Sequence, residues 1–405
     1  MIKKLFIALA AALTLSTVIA PAAQAAYSPS TGPLFNSPTG SYDAKYRLMR
    51  HVERAIDSTH AGGEIHISTY LLDRDISVDK LLAAWRYRNV SVQVVMDNGI
   101  ESYQATRLMN ALNKDGGAES VNPVTGERGG RDRSFAMMCR ASCRMDAGHM
   151  HSKFFLFSEV GTAHDVVMVS SANLNKGGAT LGWNDLFTIT GRTDMYNKYV
   201  AVHEEMVTDT SQDGDSYISY SSGDFLSRFF PMKNATRETD PVMQDLAKVS
   251  CTGANDGAGI DGRTAIHISM FRWGGDRGMY IAKQLLQLQR EGCRVSMIYG
   301  APSRVIAALL KDAARAGRIE LYDSRRDRNG DGWSDLRVHS KYLLINGRFA
   351  GDPSSWRVFT GSQNWGFGSL TRGDELQLGI ASRGAYAKYR ANWNDIRVQS
   401  RHIGG

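Results

Sequence analysis

The feature that most constrains this chain is an internal duplication of a strand–helix–strand unit. The segment EIHISTY at residues 64–70 recurs as AIHISMF at residues 265–271, and both copies read as buried strands. An amphipathic helical segment and a second apolar strand follow each copy, at 77–89 and 90–97 in the first half and at 279–292 and 293–300 in the second. Strands joined through a helix by short connections pair in parallel. The sequence therefore predicts two similar α/β units in tandem.

A second duplicated feature places polar side chains at the start of a strand. His151 and Lys153 in GHMHSKFFLFS (148–158) correspond to His339 and Lys341 in RVHSKYLLIN (337–346). Alternation along a strand puts both side chains of each pair on one face. Each copy is followed by a further strand that ends in a polar turn, SSAN or GSQN, and then by an acidic strand start, WND or GDE. The shared order in both halves favours duplication over coincidence.

The linker between the halves is rich in turn-forming residues. The segments SQDGDSYISYSSGD (211–224) and PMKNATRETDP (231–241) both predict loop, and we place the boundary near residue 235. This gives an N-terminal domain over 27–235 and a C-terminal domain over 236–405. A Gly-rich segment at 113–134 occurs only in the first half. We interpret it as a surface insertion, with a lid over a functional site as the less favoured alternative.

The N-terminus has the pattern of a secretory signal peptide over residues 1–25. MIKK is a basic start, LFIALAAALTLSTVIA is an apolar run, and Ala23-Gln24-Ala25 fits the cleavage rule. An uncleaved membrane anchor is the alternative, but the apolar run is short and the cleavage site is good. We expect a secreted, extracellular protein. The net charge of +7 suits an anionic substrate or surface and does not identify one.

The four cysteines are predicted to form disulfides, because their number is even and the chain carries an export signal. Cys139–Cys143 with Cys251–Cys293 is the preferred connectivity, since it pairs each half with itself. The two other pairings remain open. The spacing is not that of paired zinc ligands.

The duplicated polar residues suit the chemistry of a phosphodiester. Brought together by a pseudo-two-fold axis, the halves would supply two imidazoles, two ammonium groups and two amides. The lysines and asparagines could hold the non-bridging phosphate oxygens, while one imidazole attacks phosphorus and the other protonates the leaving alcohol. The lysines neutralise charge that a metal would otherwise carry, so no catalytic metal is required.

The paired H-x-K strands with their S-x-N turns resemble the phospholipase D superfamily, in the two-copy form of the secreted bacterial enzymes. The resemblance covers nearly all of the chain beyond residue 25. It implies two tandem α/β/α sandwich domains related by a pseudo-two-fold axis, with the active site at their interface. It also implies a covalent phosphohistidine intermediate, resolved by water or by an acceptor alcohol.

Site residues follow from this resemblance, position by position. His151 is similar to the family nucleophile and His339 to the acid/base. Asp185 and Glu375 fall where the family places carboxylates that orient the histidines. Asp374 is an alternative to Glu375 for this role. These acids could also be ordinary surface charges at the start of a strand. The implied phosphate-binding residues are Lys153, Lys341, Asn173, Asn364, Ser171 and Ser362.

Three features depart from the family pattern. The motif H-x-K-x-x-x-x-D ends here in Ser158 in the first copy and in Asn346 in the second. The first polar turn lacks the usual glycine. His149 offers a second imidazole near His151, but no lysine follows it at the motif spacing, so we interpret it as a neighbour.

A separate motif, DRNGDGWSD at 327–335, resembles a calcium loop. Its alternating oxygen ligands would be Asp327, Asn329, Asp331 and Asp335 around a tight turn at Gly332. The bidentate glutamate at the twelfth position is missing, where Val338 stands. Structural calcium and a plain polar turn are equally favoured.

These inferences predict a secreted phospholipase D that hydrolyses glycerophospholipids to phosphatidic acid and a head-group alcohol. We expect a monomer that meets phospholipid at a membrane surface, and Trp183, Trp365 and Phe367 are candidates to touch lipid, although core packing explains them as well. The alternatives are an extracellular nuclease that uses the same site on DNA, and a non-catalytic phospholipid-binding relic. Two complete sets of His, Lys and Asn argue against the relic.

Overall fold

The computed structural model describes residues 27–99, 101–116, 133–211 and 216–404. The predicted signal peptide lies outside the described residues, as does 117–132, which is most of the glycine-rich segment. No described helix is both long enough and apolar enough to cross a bilayer.

The first half is built around a seven-stranded sheet. The strands as far as residue 189 are β1 (Gly32–Phe35), β2 (Glu64–Thr69), β3 (Ser91–Asp97), β4 (Phe135–Cys139), β5 (Phe154–Val160), β6 (Ala163–Ser170), β7 (Gly182–Trp183) and β8 (Asp185–Ile189). All of them except β7 pair in the order β1-β8-β6-β5-β2-β3-β4. β2, β3 and β4 are parallel, as the strand–helix–strand pattern predicts, and β5, β6 and β8 are antiparallel to their neighbours.

Helices cover both faces of this sheet. They are α1 (Tyr42–Lys45), α2 (Arg47–Ser58), α3 (Asp75–Arg88), α4 (Tyr103–Gly116), α5 (Lys176–Thr180) and α6 (Thr193–Val207). α2 shows why: Leu48, Met49, Val52, Ala55 and Ile56 recur at helical spacing, and all five are buried. α2, α3 and α4 share one hydrophobic core with the outer face of the sheet, and α6 packs on the other face.

The second half repeats this arrangement. Its strands are β9 (Ile218–Ser222), β10 (Phe225–Phe230), β11 (Val249–Ser250), β12 (Ala265–Trp273), β13 (Arg294–Pro302), β14 (Glu320–Asp323), β15 (Arg337–Val338), β16 (Lys341–Phe349), β17 (Asp352–Gly361), β18 (Glu375–Ala381) and β19 (Arg401–Ile403). They pair in the order β19-β14-β13-β12-β16-β17-β18-β10-β9, and β11 lies beside β16. The run β14-β13-β12-β16-β17-β18 reproduces β4-β3-β2-β5-β6-β8, strand for strand.

The β9–β10 hairpin joins the second sheet although it precedes residue 235. β10 pairs with β18 from Phe225 to Phe230, and in this position it corresponds to β1 beside β8. The polypeptide therefore enters the second sheet before the boundary that the loop composition indicated.

The two sheets face one another across a common core. The remaining helices are α7 (Pro241–Ala247), α8 (Gly275–Arg290), α9 (Arg304–Arg315), α10 (Phe367–Thr371) and α11 (Arg383–Arg397). α7, α8 and α9 cover the outer face of the second sheet, whereas α6 and α11 lie between the sheets. Phe154 of β5, Tyr342 of β16 and Trp393 of α11 belong to this central core and are fully buried. The predicted fold of two α/β/α sandwiches is confirmed.

The disulfide connectivity preferred from the sequence is also confirmed. Cys139 is bonded to Cys143 at the end of β4, and Cys251 is bonded to Cys293 beside β12 and β13. Each bridge stays within one half of the chain.

Candidate active site

Two short backbone bridges bring the halves together at the edge where β5 and β16 begin. In one, β7 pairs in parallel with β15, and the backbone N–H of His339 donates to the Trp183 carbonyl at 2.9 Å. In the other, Met150 bridges Asp374 in parallel, and the backbone N–H of His151 donates to the Asp374 carbonyl at 2.9 Å. The two bridges are equivalent, which is the pseudo-two-fold relation that the duplication implies. They place both predicted catalytic histidines in one cleft.

Each histidine is fixed by a side chain from the opposite half. Nδ1 of His151 lies 2.9 Å from Oε2 of Glu375, and Nδ1 of His339 lies 2.8 Å from Oδ1 of Asn184. Because a carboxylate oxygen and an amide oxygen only accept, these contacts are satisfied when Nδ1 carries the proton and donates it; Lys341 Nζ also lies 3.2 Å from Nδ1 of His339 and donates to the backbone carbonyl of that residue. Nε2 of each ring is then left as the atom available for chemistry in the cleft.

Asp185, which the sequence paired with Glu375, does not contact His339. Its Oδ2 accepts hydrogen bonds from Thr360 and from the hydroxyl of Tyr389, and its Oδ1 is buried with no partner among the described residues. Burial raises the pKa of Asp185, and the hydrogen bond from Thr360 opposes that rise. The side chain points away from the cleft because neighbouring residues at a strand start face opposite ways.

Asn184 occupies the orienting position that the sequence analysis assigned to Asp185. The serines of the two polar turns show the correspondence, because Ser171 Oγ donates to Asn184 Oδ1 and Ser362 Oγ donates to Glu375 Oε2. Aligning the halves on these serines, instead of on the acids, would have matched Asn184 to Glu375. The serine hydroxyls are thus engaged behind the histidines.

The local hydrogen bonding explains why residue 184 is a neutral asparagine and not an acid. Nδ2 of Asn184 donates to the carbonyls of Gly178 and Gly182, at 2.8 and 3.2 Å. A carboxylate has no proton for these carbonyls and would face them with like partial charge. The site is therefore asymmetric: His151 faces a carboxylate and His339 an amide.

The two predicted lysines lie beneath the histidines and are buried. Lys153 Nζ donates to the backbone carbonyl of His151, and Lys341 Nζ donates to that of His339. Burial lowers the pKa of Lys153 well below its ordinary value and lowers that of Lys341 to about 7, with nearby carboxylates acting in the other direction. An anion in the cleft would relieve this electrostatic stress and favour the charged ammonium form.

The two asparagines of the polar turns also line the cleft. Oδ1 of Asn173 and Oδ1 of Asn364 are both buried, and neither has a hydrogen-bond partner among the described residues. Buried polar atoms are almost always paired in folded proteins. Unpaired acceptor oxygens at both equivalent positions indicate amides whose hydrogen bonding is incomplete without a ligand, and in each amide Nδ2 is the atom that can donate to a phosphate oxygen.

An aromatic ring packs against each histidine–lysine pair. The Tyr70 ring lies 5.2 Å from the His151 ring and 5.4 Å from Lys153 Nζ, measured from its centroid. The Phe271 ring lies 4.7 Å from the His339 ring, with Lys341 Nζ 5.2 Å from its centroid. Sequence reasoning missed these residues, although they are the matching last letters of EIHISTY and AIHISMF.

Burial, the two nearby lysines and, for His151, Glu375 together determine the pKa values of the histidines. Burial lowers the pKa of His339 well below the ordinary value, and Lys341 and Lys153 lower it further. Burial also lowers the pKa of His151, while Glu375 partly offsets that shift. Burial alone would raise the pKa of Glu375, but His151 and Lys153 outweigh it and the net shift is downward.

The cleft has a volume of about 700 Å³ and walls of different character. Arg272 and Arg372 from the second half line it, and both are exposed. In the serine-based alignment Arg372 corresponds to Leu181, and in the alignment of the repeated strands Arg272 corresponds to Leu71. The second-half wall is therefore cationic where the first half carries leucine.

Two further residues identified in the sequence, His149 and Asp374, lie beside the site and contact the residues around it. His149 is exposed at the rim, with Nδ1 3.4 Å from Asp97 Oδ2. Asp374, the rival to Glu375, accepts hydrogen bonds from Arg144 Nε at 3.0 Å and from the backbone N–H of Cys143. Asp374 therefore ties the first disulfide loop to the strand that supplies Glu375.

The residues that replace the motif aspartates lie at the far ends of their strands. Ser158 Oγ accepts a hydrogen bond from the backbone N–H of Glu64, and Asn346 Oδ1 accepts one from the backbone N–H of Gly259. Both side chains satisfy the backbone there, remote from the histidines.

The loop at 327–335 has the arrangement of a polar turn. Asp327 accepts from the backbone N–H groups of Gly330 and Gly332, and Asp335 accepts from that of Arg328. Asn329 and Asp331 are engaged with each other and with neighbouring backbone N–H groups. Within the described ranges, no group of three or more His, Cys, Asp or Glu side chains is placed to hold a metal ion.

Two of the three aromatics proposed for lipid contact are core residues. Trp183 and Trp365 are buried within the hydrophobic clusters: Trp183 lies in the β7–β15 bridge between the halves, and Trp365 packs against Trp273 in the core of the second half. Phe367 alone of the three is exposed, on the turn that precedes Arg372.

Comparisons with known proteins identify the family to which the two halves belong. A family model described as "Cardiolipin synthase, PLD-like domain" matches residues 52–207 and 260–397, one segment in each half. No curated protein sequence matches the chain.

Two solved structures share the fold at low sequence identity. Phosphatidylserine synthase from Haemophilus influenzae Rd KW20 is 12% identical, with a TM-score of 0.57, over 92% of this chain and 88% of that one. Polyphosphate kinase from Porphyromonas gingivalis is 13% identical, with a TM-score of 0.53, over 91% of this chain. The match spans half (50%) of the length of the kinase. With a PLD-like domain matched in each half, the chain belongs to the phospholipase D superfamily.

Proposed function

We propose that this protein is a secreted phospholipase D that hydrolyses glycerophospholipids to phosphatidic acid and a head-group alcohol. The observation that carries the proposal is the pair of histidines in one cleft, each with Nδ1 fixed from the opposite half. Two imidazoles with free Nε2 atoms, above two ammonium groups and beside two asparagines whose Nδ2 atoms can donate, suit a phosphodiester held by its non-bridging oxygens. The export signal and the two disulfides support an extracellular location.

The first half-reaction transfers phosphorus to a histidine. Nε2 of His151 forms a bond to phosphorus while the bond from phosphorus to the head-group oxygen breaks, and His339 gives its Nε2 proton to that oxygen. The bound anion offsets the charge of Lys153 and Lys341, which raises the pKa of His339 from its depressed value in the free protein and makes the protonated acid accessible. Glu375 stabilises the positive charge that His151 acquires.

The second half-reaction returns the enzyme to its starting state. His339, now neutral, takes a proton from a water molecule whose oxygen attacks phosphorus. The phosphorus–nitrogen bond to His151 breaks and phosphatidic acid leaves. An alcohol in place of water would give transphosphatidylation by the same steps.

The decisive experiment offers the purified protein phosphatidylcholine vesicles and plasmid DNA in parallel, with a chelator in both. We expect free choline from the vesicles, with no release by the His151→Ala or His339→Ala variants. Nicking of the plasmid without choline release would favour the nuclease instead. Neither product from a folded wild-type protein would favour a phospholipid-binding relic.

The assignment of nucleophile and acid is tested by trapping. With an activated phosphodiester whose leaving group needs no proton, His339→Ala should accumulate an acid-labile, base-stable label on the peptide that contains His151. Label on the His339 peptide, in the His151→Ala variant alone, would reverse the two roles.

A further inference from the structure

Exposed apolar side chains are concentrated at the catalytic edge of the molecule. Among the described residues, ten large hydrophobic side chains are exposed. Single exposed apolar residues are normal on a protein surface, so their distribution is the informative feature.

The first half contributes three of these side chains at the catalytic edge. β5 is antiparallel to β2, so β2 ends at the edge where β5 starts, just after His151. β3 is parallel to β2 and ends at the same edge. Ile76 and Tyr103 begin the helices that follow these two strands, and Leu181 precedes β7. All three are exposed, Tyr103 by 72%.

The second half contributes three more at the same edge. Val305 begins the helix that follows β13, Trp333 lies on the connection from β14 to β15, and Phe367 begins the turn helix before β18. Trp333 is the most exposed of these three, at 78%. Together the two sets form the apolar rim, which consists of Ile76, Tyr103, Leu181, Val305, Trp333 and Phe367.

The opposite edge has far fewer such residues. Of the remaining four, only Tyr87 and Ile260 lie at the other ends of the strands, one at the end of α3 and one before β12. Tyr42 and Val398 lie on α1 and at the end of α11, beside the seam between the halves. An even distribution would not leave the catalytic edge so strongly favoured.

The apolar rim and a cationic opening lie at the same edge of the molecule, with rim residues contributed by both halves. Arg272 and Arg372 line the cleft, and the only carboxylate among the lining residues described is Glu375, which is turned to His151. Apolar side chains beside a cationic opening complement a surface that presents phosphate groups above hydrocarbon.

The position of the cleft decides which partner fits. A protein that covered the apolar rim would also cover the cleft at the same edge and close it to substrate. A lipid bilayer can cover the rim and supply the phosphodiester at the same time. Tyr and Trp, which are the most exposed members of the rim, are also the side chains that favour the boundary between water and hydrocarbon.

We infer that the catalytic edge is a membrane-docking face, on which the apolar rim inserts into the outer boundary of a phospholipid bilayer and Arg272 and Arg372 meet its phosphates. This inference rests on the proposed function, and it identifies the substrate class as phospholipid within a bilayer. Docking would deliver the head group directly to the cleft, with no need to extract the lipid into water.

The test compares two double variants in the catalytically inactive His339→Ala background, so that vesicles stay unchanged. Tyr103→Ser with Trp333→Ser removes two aromatics from the rim. Tyr87→Ser with Ile260→Ser is the matched control at the opposite edge. Co-sedimentation with vesicles of phosphatidylcholine and a minor fraction of phosphatidylglycerol measures the partition coefficient of each.

We expect the rim variant to lose roughly tenfold or more in the partition coefficient, as two half-inserted aromatic side chains would imply, and the control to change by less than about twofold. Equal losses in the two variants, or no loss in the rim variant, would overturn the inference. Thermal melts check that both variants remain folded.

A soluble substrate separates this inference from the proposed function. In the active background, both double variants should cleave monomeric dibutyroylphosphatidylcholine at the wild-type rate, while only the rim variant slows on vesicles. If the wild type cleaves the soluble lipid and both variants bind vesicles normally, the docking face is wrong and the function stands. If the wild type cleaves no phospholipid, the proposed function fails, and the inferred delivery of lipid to the cleft fails with it.

Discussion

Replacing Glu375 by glutamine should remove most of the activity without disturbing the shape of the site. The change keeps the size of the side chain and leaves one amide oxygen that can accept from His151 and from Ser362. Only the negative charge is lost. Because Glu375 is buried and faces His151, the substitution isolates the electrostatic part of the contact.

The expected magnitude follows from the distance between the two groups. Unit charges 2.9 Å apart attract by about 6 kcal/mol at an effective dielectric constant of ~20, as an upper value. This attraction is realised when His151 becomes cationic on binding phosphorus. The retained neutral hydrogen bond contributes only about 1 kcal/mol. We therefore expect kcat to fall roughly 10³- to 10⁴-fold, about 4 to 5.5 kcal/mol in the barrier.

Two measurements distinguish this effect from a structural one. Since Glu375 raises the pKa of His151, its removal should lower that pKa and move the acid limb of the kcat/KM profile to lower pH. Asp185→Asn is the matched control, because that carboxylate contacts Thr360 and Tyr389 and no imidazole. A Glu375→Gln enzyme within about threefold of wild type, or an Asp185→Asn enzyme as impaired as Glu375→Gln, would refute the reasoning.

Three other predictions concern the buried Lys341, the two arginines that line the cleft, and the second disulfide. Lys341, with a pKa of about 7 in the free protein, is charged below that pH and neutral above it. Calorimetry should therefore show sulfate binding that weakens as pH rises through 7, and that weakens less steeply in Lys341→Arg; an equally steep loss in the variant would contradict this assignment. The double variant Arg272→Ala/Arg372→Ala should raise KM for phosphatidylglycerol about tenfold with a smaller change in kcat, and a loss confined to kcat would contradict a binding role. Replacing Cys251 and Cys293 by serine opens a link between residues 42 apart and should lower the free energy of unfolding in urea by about 4 kcal/mol, while kcat stays within about twofold because the bridge lies at the edge opposite the cleft.

The features that the sequence predicted correctly are those repeated in both halves. Two copies of a strand–helix–strand pattern sufficed for the sandwich architecture, because local periodicity and short connections determine parallel pairing. The pairing of cysteines within each half was predictable for the same reason. The H-x-K strands could be placed in one cleft only because each half offered one.

The features that escaped prediction depend on contacts between distant parts of the chain. Asn184 and Asp185 are adjacent, and only the side chain that faces the seam reaches His339; alignment of the halves on their acidic residues selects the wrong one, and alignment on Ser171 and Ser362 selects Asn184. The sequence predicts loop for the segment that forms β9, and the pairing of the β9–β10 hairpin with β18 depends on residues about 150 positions away in the sequence. From the sequence, Trp183 and Trp365 are candidates both for lipid contact and for the core, and only their tertiary partners decide: strand β15 for Trp183 and Trp273 for Trp365.

The crossed orientation of the two histidines has a consequence for how the protein can be divided. A fragment that ends with α6 would contain His151 without Glu375, and a fragment that begins at β9 would contain His339 without Asn184. A cut between Val207 and Ile218 would leave each sheet with all its own strands, so each fragment would retain a sheet while lacking a competent centre. Activity would then be a property of reassociation: turnover in a mixture would rise with the product of the fragment concentrations and saturate as they bind. A substitution of Glu375, which supports His151, could be complemented only by an intact copy of the C-terminal fragment. The two halves are therefore a single functional unit in genetic as well as structural terms.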